Sequence, residues 1–495
     1  MNPIFRGAHA VNRPRASVWP ILVCLAALAI LYGLTLGDGH PWGGDNAMYA
    51  LHASNLAAGN AYADTGYIYN ESSGRLPPSY PPVFPLLLAP WVAIFGFAWT
   101  PLKFATLATF IGGLGLLVAT ERPKMGPLEG PILLALVGCN PILWSFKDNV
   151  LSEFPFLLFL CASLWVAEKA RAADEAGRRR YGWGLCLGVS IYLAYGTRSI
   201  GALLLPALVA TDLFRTGRIQ RRTGMAALAF LPLALLQNIL VHSEAGHLAY
   251  KLANFDFSLP IRNLFVVYPE LFHDFWQGAP PLEWLGAAVA ITAAVLIAVG
   301  LAHRARNREL DLLDWYVSGS LLFFLLIRLD DMTPPQRYWI PLFPLFIVQL
   351  LRGVRGLFSG PATWVRPMRI PSLIAGFAAI ALIAYASIFN GFEHESIPNG
   401  ITSPDAQGLY GFVREKTDPD DTLIFFEPRV LTLYTERKAS EFRVGGDREE
   451  WMRYAKSIGA RYWVRPGGLP TSYRDSLSLV YSNDTFSVFR FDHYR

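Results

Sequence analysis

The sequence is short of charge. Asp, Glu, Lys and Arg make up only 16% of its 495 residues, against roughly 25% in ordinary globular proteins. Hydrophobic residues reach 53%, more than one soluble core needs. The net charge of +5 is too small to mark a nucleic-acid surface. Cysteine is scarce as well. Cys24, Cys139, Cys161 and Cys186 all lie inside apolar runs, which reads as small buried hydrophobes rather than disulfides or metal ligands. The chain has no internal repeat and no low-complexity tract.

What it has instead is long apolar runs, many of them near the 20 or so residues that cross a bilayer. Arg6, Arg13 and Arg15 precede the first run, which lacks a small-residue cleavage site. This predicts a retained first helix rather than a cleaved signal. Spanning helices are expected at 17–37, 102–120, 128–146, 152–170, 181–197, 199–214, 224–242, 282–302, 312–329, 337–352 and 370–390. Residues 83–97 are apolar too, but carry Pro85, Pro90 and Gly96. If they do not span, the basic loops around Arg122 and Lys124, 169–180, 215–222, 303–308 and 352–369 all become cytoplasmic. The expectation is therefore an α-helical polytopic membrane protein of about eleven spanning helices. Its N-terminus is cytoplasmic, and residues 391–495 form a small extracytoplasmic α/β domain.

In that tail, 407–416 and 449–458 read as helices and 422–426 and 461–464 as strands. Residues 477–481 and 486–491 read as a hairpin around Asn483-Asp484. Nothing in the tail resembles a nucleotide loop or a nucleophile motif.

Chemistry gathers in the outer loops. Residues 42–82 are too polar to span and too aromatic for a plain linker. They begin Trp42-Gly43-Gly44-Asp45. Met48, Leu51, His52 and Leu56 follow at spacings of three to four, the pattern of a short amphipathic helix on a membrane surface. Asp45 reads either as a catalytic base or cation ligand, or as the N-cap of that helix. Glu153 opens the fourth span behind Ser152, which reads as its cap. Asp148 is a second acidic candidate, with Lys147 beside it as an alternative partner. Arg198 and Arg337 stand at outer helix ends, where basic residues are disfavoured. They suit a phosphate, or a structural ion pair such as Arg337 with Asp330 or Asp331. His242, His247 and His273 lie in the long loop 242–281 and make a weak metal pattern. Asn70-Glu71-Ser72 and Asn483-Asp484-Thr485 fit the N-glycosylation triplet.

The chain resembles the C-type (GT-C) membrane glycosyltransferases. The similar families are the protein mannosyltransferases that use polyprenyl- or dolichyl-phosphate mannose, and the lipid A aminoarabinose transferases. The resemblance rests on Gly44-Asp45 through Tyr49, Gly59 to Tyr62, Tyr80-Pro81-Pro82 with Pro85-Leu86-Leu87, and Asn140-Pro141. It continues through Ser152-Glu153-Phe154-Pro155-Phe156, Thr197-Arg198, Arg337-Tyr338 with Pro341 and Pro344, and Pro428 with Leu433-Tyr434-Thr435 and Arg437. It implies a hexosyl- or pentosyltransferase of the inner membrane, with residues 1–390 as the transferase domain. Such an enzyme takes a sugar from a polyprenyl-phosphate donor to a lipid, glycan or protein acceptor, usually with inversion, and has no nucleic-acid partner. Asp45 and Glu153 would be catalytic, and Arg337 and Arg198 would meet the donor phosphate. Asp148, Tyr49, Tyr80 and His273 are candidate donor or acceptor contacts. A divalent cation is the one cofactor left open. Some relatives carry an acidic then a basic residue just before the first-loop proline, where Tyr80 and Pro81 stand here. A secondary transporter and a non-catalytic membrane scaffold are the alternatives.

The charge distribution generates a topology test. A reporter fused at the C-terminus should read as extracytoplasmic, and one inserted between Arg122 and Lys124 as cytoplasmic. Export of the second fusion would mean that residues 83–97 cross the bilayer.

Overall fold

The computed structural model describes residues 17–70, 78–177, 181–241, 256–327, 329, 334–358, 369–389, 397, 400–441, 448–468 and 476–491. The chain is a mostly helical membrane protein that ends in a mixed β-sheet. In order, the first half holds α1 (Trp19–Leu34), α2 (Gly44–Ala58), β1 (Tyr67–Ile68), α3 (Val83–Phe95) and α4 (Trp99–Glu121). It continues with α5 (Glu129–Gly138), α6 (Pro141–Phe146), α7 (Glu153–Glu175), α8 (Tyr181–Tyr195), α9 (Leu204–Thr216) and α10 (Arg221–Leu240). An interrupted helix, α11, runs through Leu259–Arg262, Asn263–Val267 and Tyr268–Asp274. Then come α12 (Glu283–Arg306), α13 (Leu312–Leu325), α14 (Phe343–Phe358) and α15 (Arg369–Phe389).

Among the described residues, five helices are long and apolar enough to cross a membrane: Trp99–Lys124, Ser199–Thr216, Arg221–Leu240, Glu283–Arg306 and Ile370–Phe389. Helix α3 has 13 residues, about 20 Å at 1.5 Å per residue, well short of a bilayer core of roughly 30 Å. The run expected to span at 128–146 is broken instead. Helix α5 stops at Gly138, whose carbonyl accepts the Tyr32 hydroxyl at 2.9 Å. Asn140 then caps α6, its Oδ1 accepting the N–H groups of Ile142 at 3.1 Å and Leu143 at 3.3 Å. Its amide also donates to the Phe275 carbonyl at 2.7 Å, so the break is fully used.

Small residues let the helices approach. A Cβ on Gly188 of α8 would fall 2.3 Å from the Ala226 carbonyl of α10, and one on Gly353 of α14 would fall 2.1 Å from the Leu296 carbonyl of α12. Close backbone packing of this kind replaces the hydrophobic drive that lipid removes.

The tail adds α16 (Pro404–Lys416), β2 (Thr422–Ile424), α17 (Pro428–Thr435), β3 (Lys438–Ser440), α18 (Arg448–Ser457), β4 (Ala460–Pro466), β5 (Leu477–Ser482) and β6 (Phe486–Phe491). The expected helices and the hairpin are present. Helix α17 and strand β3 were not expected. The strand order is β1-β3-β2-β4-β6-β5. Strand β1 comes from the first loop and pairs parallel with β3, Tyr67 opposite Ala439 and Ile68 opposite Ser440. Alternation along β2 sends Leu423 into the core shared with the helices, and Ile424 to a separate cluster with Trp451, Trp463 and Phe489.

Helix α2 is not a surface-lying amphipathic helix. It is sandwiched between α3 and α17, and Ala47, Met48, Tyr49, Ala50, His52 and Ala53 are buried. The tail covers the face that would otherwise have met lipid.

At the far end of the helices, Arg352 anchors a second polar cluster. Its guanidinium bonds Glu121 at 2.8 Å, Asp311 at 2.9 Å and Asp314 at 3.2 Å, all buried or nearly so. A shallow cleft opens beside it, lined by Glu168, Arg171, Arg215 and Arg222 among others. Arg171 pairs with Glu168, Arg222 with Asp174 and Asp212, and Arg215 donates to the Leu310 carbonyl. Removing one partner of a buried pair costs roughly 3–5 kcal/mol. Arg352→Ala should therefore lower the unfolding temperature of the detergent-solubilised protein sharply. An unchanged melting curve would show that the cluster does not hold the helix ends.

Candidate active site

Asp45 is the second residue of α2. The N-cap is Gly43, and no side chain caps the helix, so the capping role expected for Asp45 does not hold. Its carboxylate is taken up elsewhere. Oδ2 accepts Arg337 Nη1 at 2.7 Å, and Oδ1 accepts Arg429 Nη1 at 3.2 Å. Oδ1 also accepts the Tyr80 hydroxyl, and Arg429 Nη1 donates to that same hydroxyl at 2.8 Å. Four segments thus meet on one carboxylate: α2, the loop at Tyr80, the turn Pro335–Tyr338 and α17. Burial alone would raise the Asp45 pKa. Arg337, Arg429 and the Tyr80 hydrogen bond override it and hold the carboxyl well below the usual range.

Glu153 is the first residue of α7 and is fully buried. Its Oε1 accepts Arg337 Nε and Arg198 Nη1, each at 2.7 Å. Arg337 therefore spans the two carboxylates, one through Nε and the other through Nη1. Ser152 holds the N-cap position of α7 but makes no cap bond. Its hydroxyl accepts from Tyr49 at 2.9 Å and from Arg198 at 3.1 Å. The dipole of α7 still favours a carboxylate at Glu153.

Tyr80 is aimed by its neighbours. His52 Nε2 accepts the Tyr80 N–H at 3.3 Å, and the other ring nitrogen bonds the Tyr62 carbonyl at 2.8 Å. Burial brings His52 down to about 4, so the imidazole is neutral at physiological pH, as these two bonds require. The Tyr80 ring stacks on Tyr49 at 4.8 Å.

The structure brings together Asp45, Glu153, Arg198, Arg337, Tyr49 and Tyr80. Asp148 lies apart, bonded to Lys147 at 2.5 Å and to the Gly37 N–H at 2.7 Å. His273 sits in the last turn of α11, with no bond to the cluster among the described residues. His242, His247, Asp330 and Asp331 lie outside the described residues. Asn70 is buried and its amide donates to the Glu441 carbonyl at 3.1 Å. The Asn483 amide is likewise engaged, with the Asp405 carbonyl at 2.8 Å.

Sequence reasoning missed Arg429 and its neighbour Glu427. Both belong to the tail, which showed no chemical motif, and Arg429 lies in an eight-residue helix too short for a periodic signal. The one available sign was a basic residue just after a proline in the segment that resembles the glycosyltransferases.

The donor set does not suit a metal ion. Among the described residues no three His, Cys, Asp or Glu side chains converge. Asp45 and Glu153 are bridged by the Arg337 guanidinium, so the place between them already carries a positive charge.

Over nearly its full length the fold resembles those of membrane-embedded glycosyltransferases. ArnT from Cupriavidus metallidurans bound to undecaprenyl phosphate superposes with a TM-score of 0.58 at 14% identity, over 96% of this chain and 98% of that one. The archaeal oligosaccharyltransferase AglB from Archaeoglobus fulgidus, in complex with an inhibitory peptide and a dolichol-phosphate, gives 0.58 at 13% identity, over 96% and 74%. The mycobacterial arabinofuranosyltransferase AftD gives 0.54 at 12% identity, over 96% of this chain and 41% of its own. No family model and no curated protein matches the sequence.

Lysine can replace the charge of Arg337 but not its two-sided fork. Arg337→Lys should leave either Asp45 or Glu153 short of a partner and lower thermal stability measurably in detergent. A variant with wild-type stability would mean that the bridge contributes nothing to folding.

Proposed function

We propose that the protein is an integral-membrane glycosyltransferase. It moves a sugar from a polyprenyl-phosphate carrier to a lipid, glycan or protein acceptor on the extracytoplasmic face, with inversion. The observation that carries this reading is Arg337 spanning Asp45 and Glu153 in a fold shared with a protein that holds undecaprenyl phosphate.

The charge balance supports it. Three guanidiniums, from Arg198, Arg337 and Arg429, face two carboxylates, from Asp45 and Glu153. Guanidiniums suit a phosphate diester, which they can grip bidentately. Arg337 and Arg198 keep 18% and 16% of their side chains exposed, so both can reach a headgroup at the surface. The carrier phosphate leaves with the electron pair of the anomeric C–O bond, and these cations stabilise that charge as it develops. Competition by the phosphate for Arg337 frees Asp45 to receive and orient the acceptor. A secondary transporter carries its charges near mid-bilayer, whereas these stand at helix ends.

The test is a comparison of glycolipids and glycans, by mass spectrometry, from cells with and without the gene. One sugar-bearing product should disappear with the gene. Asp45→Asn keeps the size of the side chain and removes its charge. It should insert normally and lower formation of that product by about two orders of magnitude or more. Near-normal product from Asp45→Asn would remove Asp45 from the chemistry.

A further inference from the structure

A second carboxylate stands beside Asp45, and it comes from the far end of the chain. Glu427 occupies the N-cap position of α17 but makes no cap bond there. Its side chain turns instead to the start of α2, where it accepts the Gly44 N–H. A Cβ on Gly44 would lie 2.7 Å from Glu427 Oε2 and 3.4 Å from Arg429 Cδ. This gives a physical reason for glycine directly before Asp45: any side chain would push the tail's carboxylate away. Glu427 is half-buried. Phe426 beside it is 45% exposed and packs on Trp42 at 5.5 Å, forming an apolar floor next to the carboxylate.

We infer that Glu427 is the general base of the transfer, taking the proton of the acceptor hydroxyl or amine, while Asp45 stays ionised and orients that acceptor. The inference rests on the glycosyltransferase reading above. In the step, the acceptor X–H bond breaks and its proton goes to the Glu427 carboxylate. The acceptor atom bonds the anomeric carbon. The C–O bond to the carrier phosphate breaks, and its electron pair stays on the phosphate. Glu427 then returns the proton to water.

The two carboxylates are driven apart electrostatically, the arrangement that assigns acid–base roles. The charged groups facing Glu427 are Asp45 on α2, Arg429 on α17 and Glu441 after β3. Burial and the Asp45 charge outweigh Arg429 and push Glu427 up to about 7. A base near the working pH is efficient. Asp45, clamped by two guanidiniums, is a weak one. A raised carboxyl contributes stability that is present in acid and lost as pH rises through about 7.

The experiment uses full-length protein in proteoliposomes with undecaprenyl-phosphate mannose, glucose or arabinose, whichever the wild type consumes in the presence of its membrane lipids. Wild-type turnover should fall about tenfold per pH unit below about 7. Glu427→Gln should lose that acidic limb and roughly 10²–10⁴-fold in rate. It should bind undecaprenyl phosphate normally and melt no lower than wild type at pH 8, because it removes a repelled charge. Glu427→Asp should retain a limb, displaced with the new carboxyl, and decides the matter should the glutamine variant fail to fold. An unchanged acidic limb in either variant overturns the inference and leaves the glycosyltransferase reading standing. Absence of any sugar transfer by the wild type overturns both.

Discussion

One guanidinium holds the site together. Arg337 donates to Glu153 on one side and to Asp45 on the other; Glu153 is fully buried, and Asp45 keeps 25% of its side chain exposed. Two isolated carboxylates at this depth would take protons rather than pay the desolvation cost. Shared cations let both stay charged. Such an arrangement tolerates little rearrangement, because loss of one member leaves another charge stranded. The elements around it are cut to fit. Helix α7 begins at Glu153, α2 begins one residue before Asp45, and the turn Pro335–Tyr338 places Arg337 between them.

The tail is part of this assembly. Arg429 is fully buried and lies over the rings of Tyr67 and Tyr80 at 4.9 and 5.1 Å as well as bonding Asp45. Aromatic packing fixes the docking. Trp42 meets Phe425 and Phe486 edge-on, and Trp99 Nε1 donates to the Tyr434 hydroxyl at 2.7 Å. Strand β1 adds backbone pairing at the edge of the sheet. A first loop rich in aromatic residues is what a docking surface of this kind needs.

The membrane class and the α/β character of the tail were legible because hydropathy and strand alternation are local signals. Asp45, Glu153, Arg198 and Arg337 stood out as charges at helix ends, where lipid makes charge conspicuous. Their mutual pairing was not legible. Arg337 and Asp45 are 292 residues apart, and no local pattern records that distance. The capping roles of Asp45 and Ser152 were reasonable from residue type alone, but tertiary partners claimed both side chains. The surface-lying α2 failed for the same reason: spacing identifies an apolar face without saying whether lipid or protein covers it. Strand β1 has two residues, too few for any alternation.

The pairing of Asp45 with Arg429 crosses 384 residues. At a synthesis rate of roughly 5–20 residues per second, about 20–80 s pass between the emergence of one partner and the other. For all of that time the first loop is in place with its carboxylate lacking the second guanidinium and its edge strand lacking a sheet. The helices can insert, but the pocket stays incomplete until almost the whole message has been read. A stop before Arg429 would leave a membrane-embedded chain in which Asp45 lacks its second guanidinium. Only chains read past Arg429 can assemble the full Asp45 cluster.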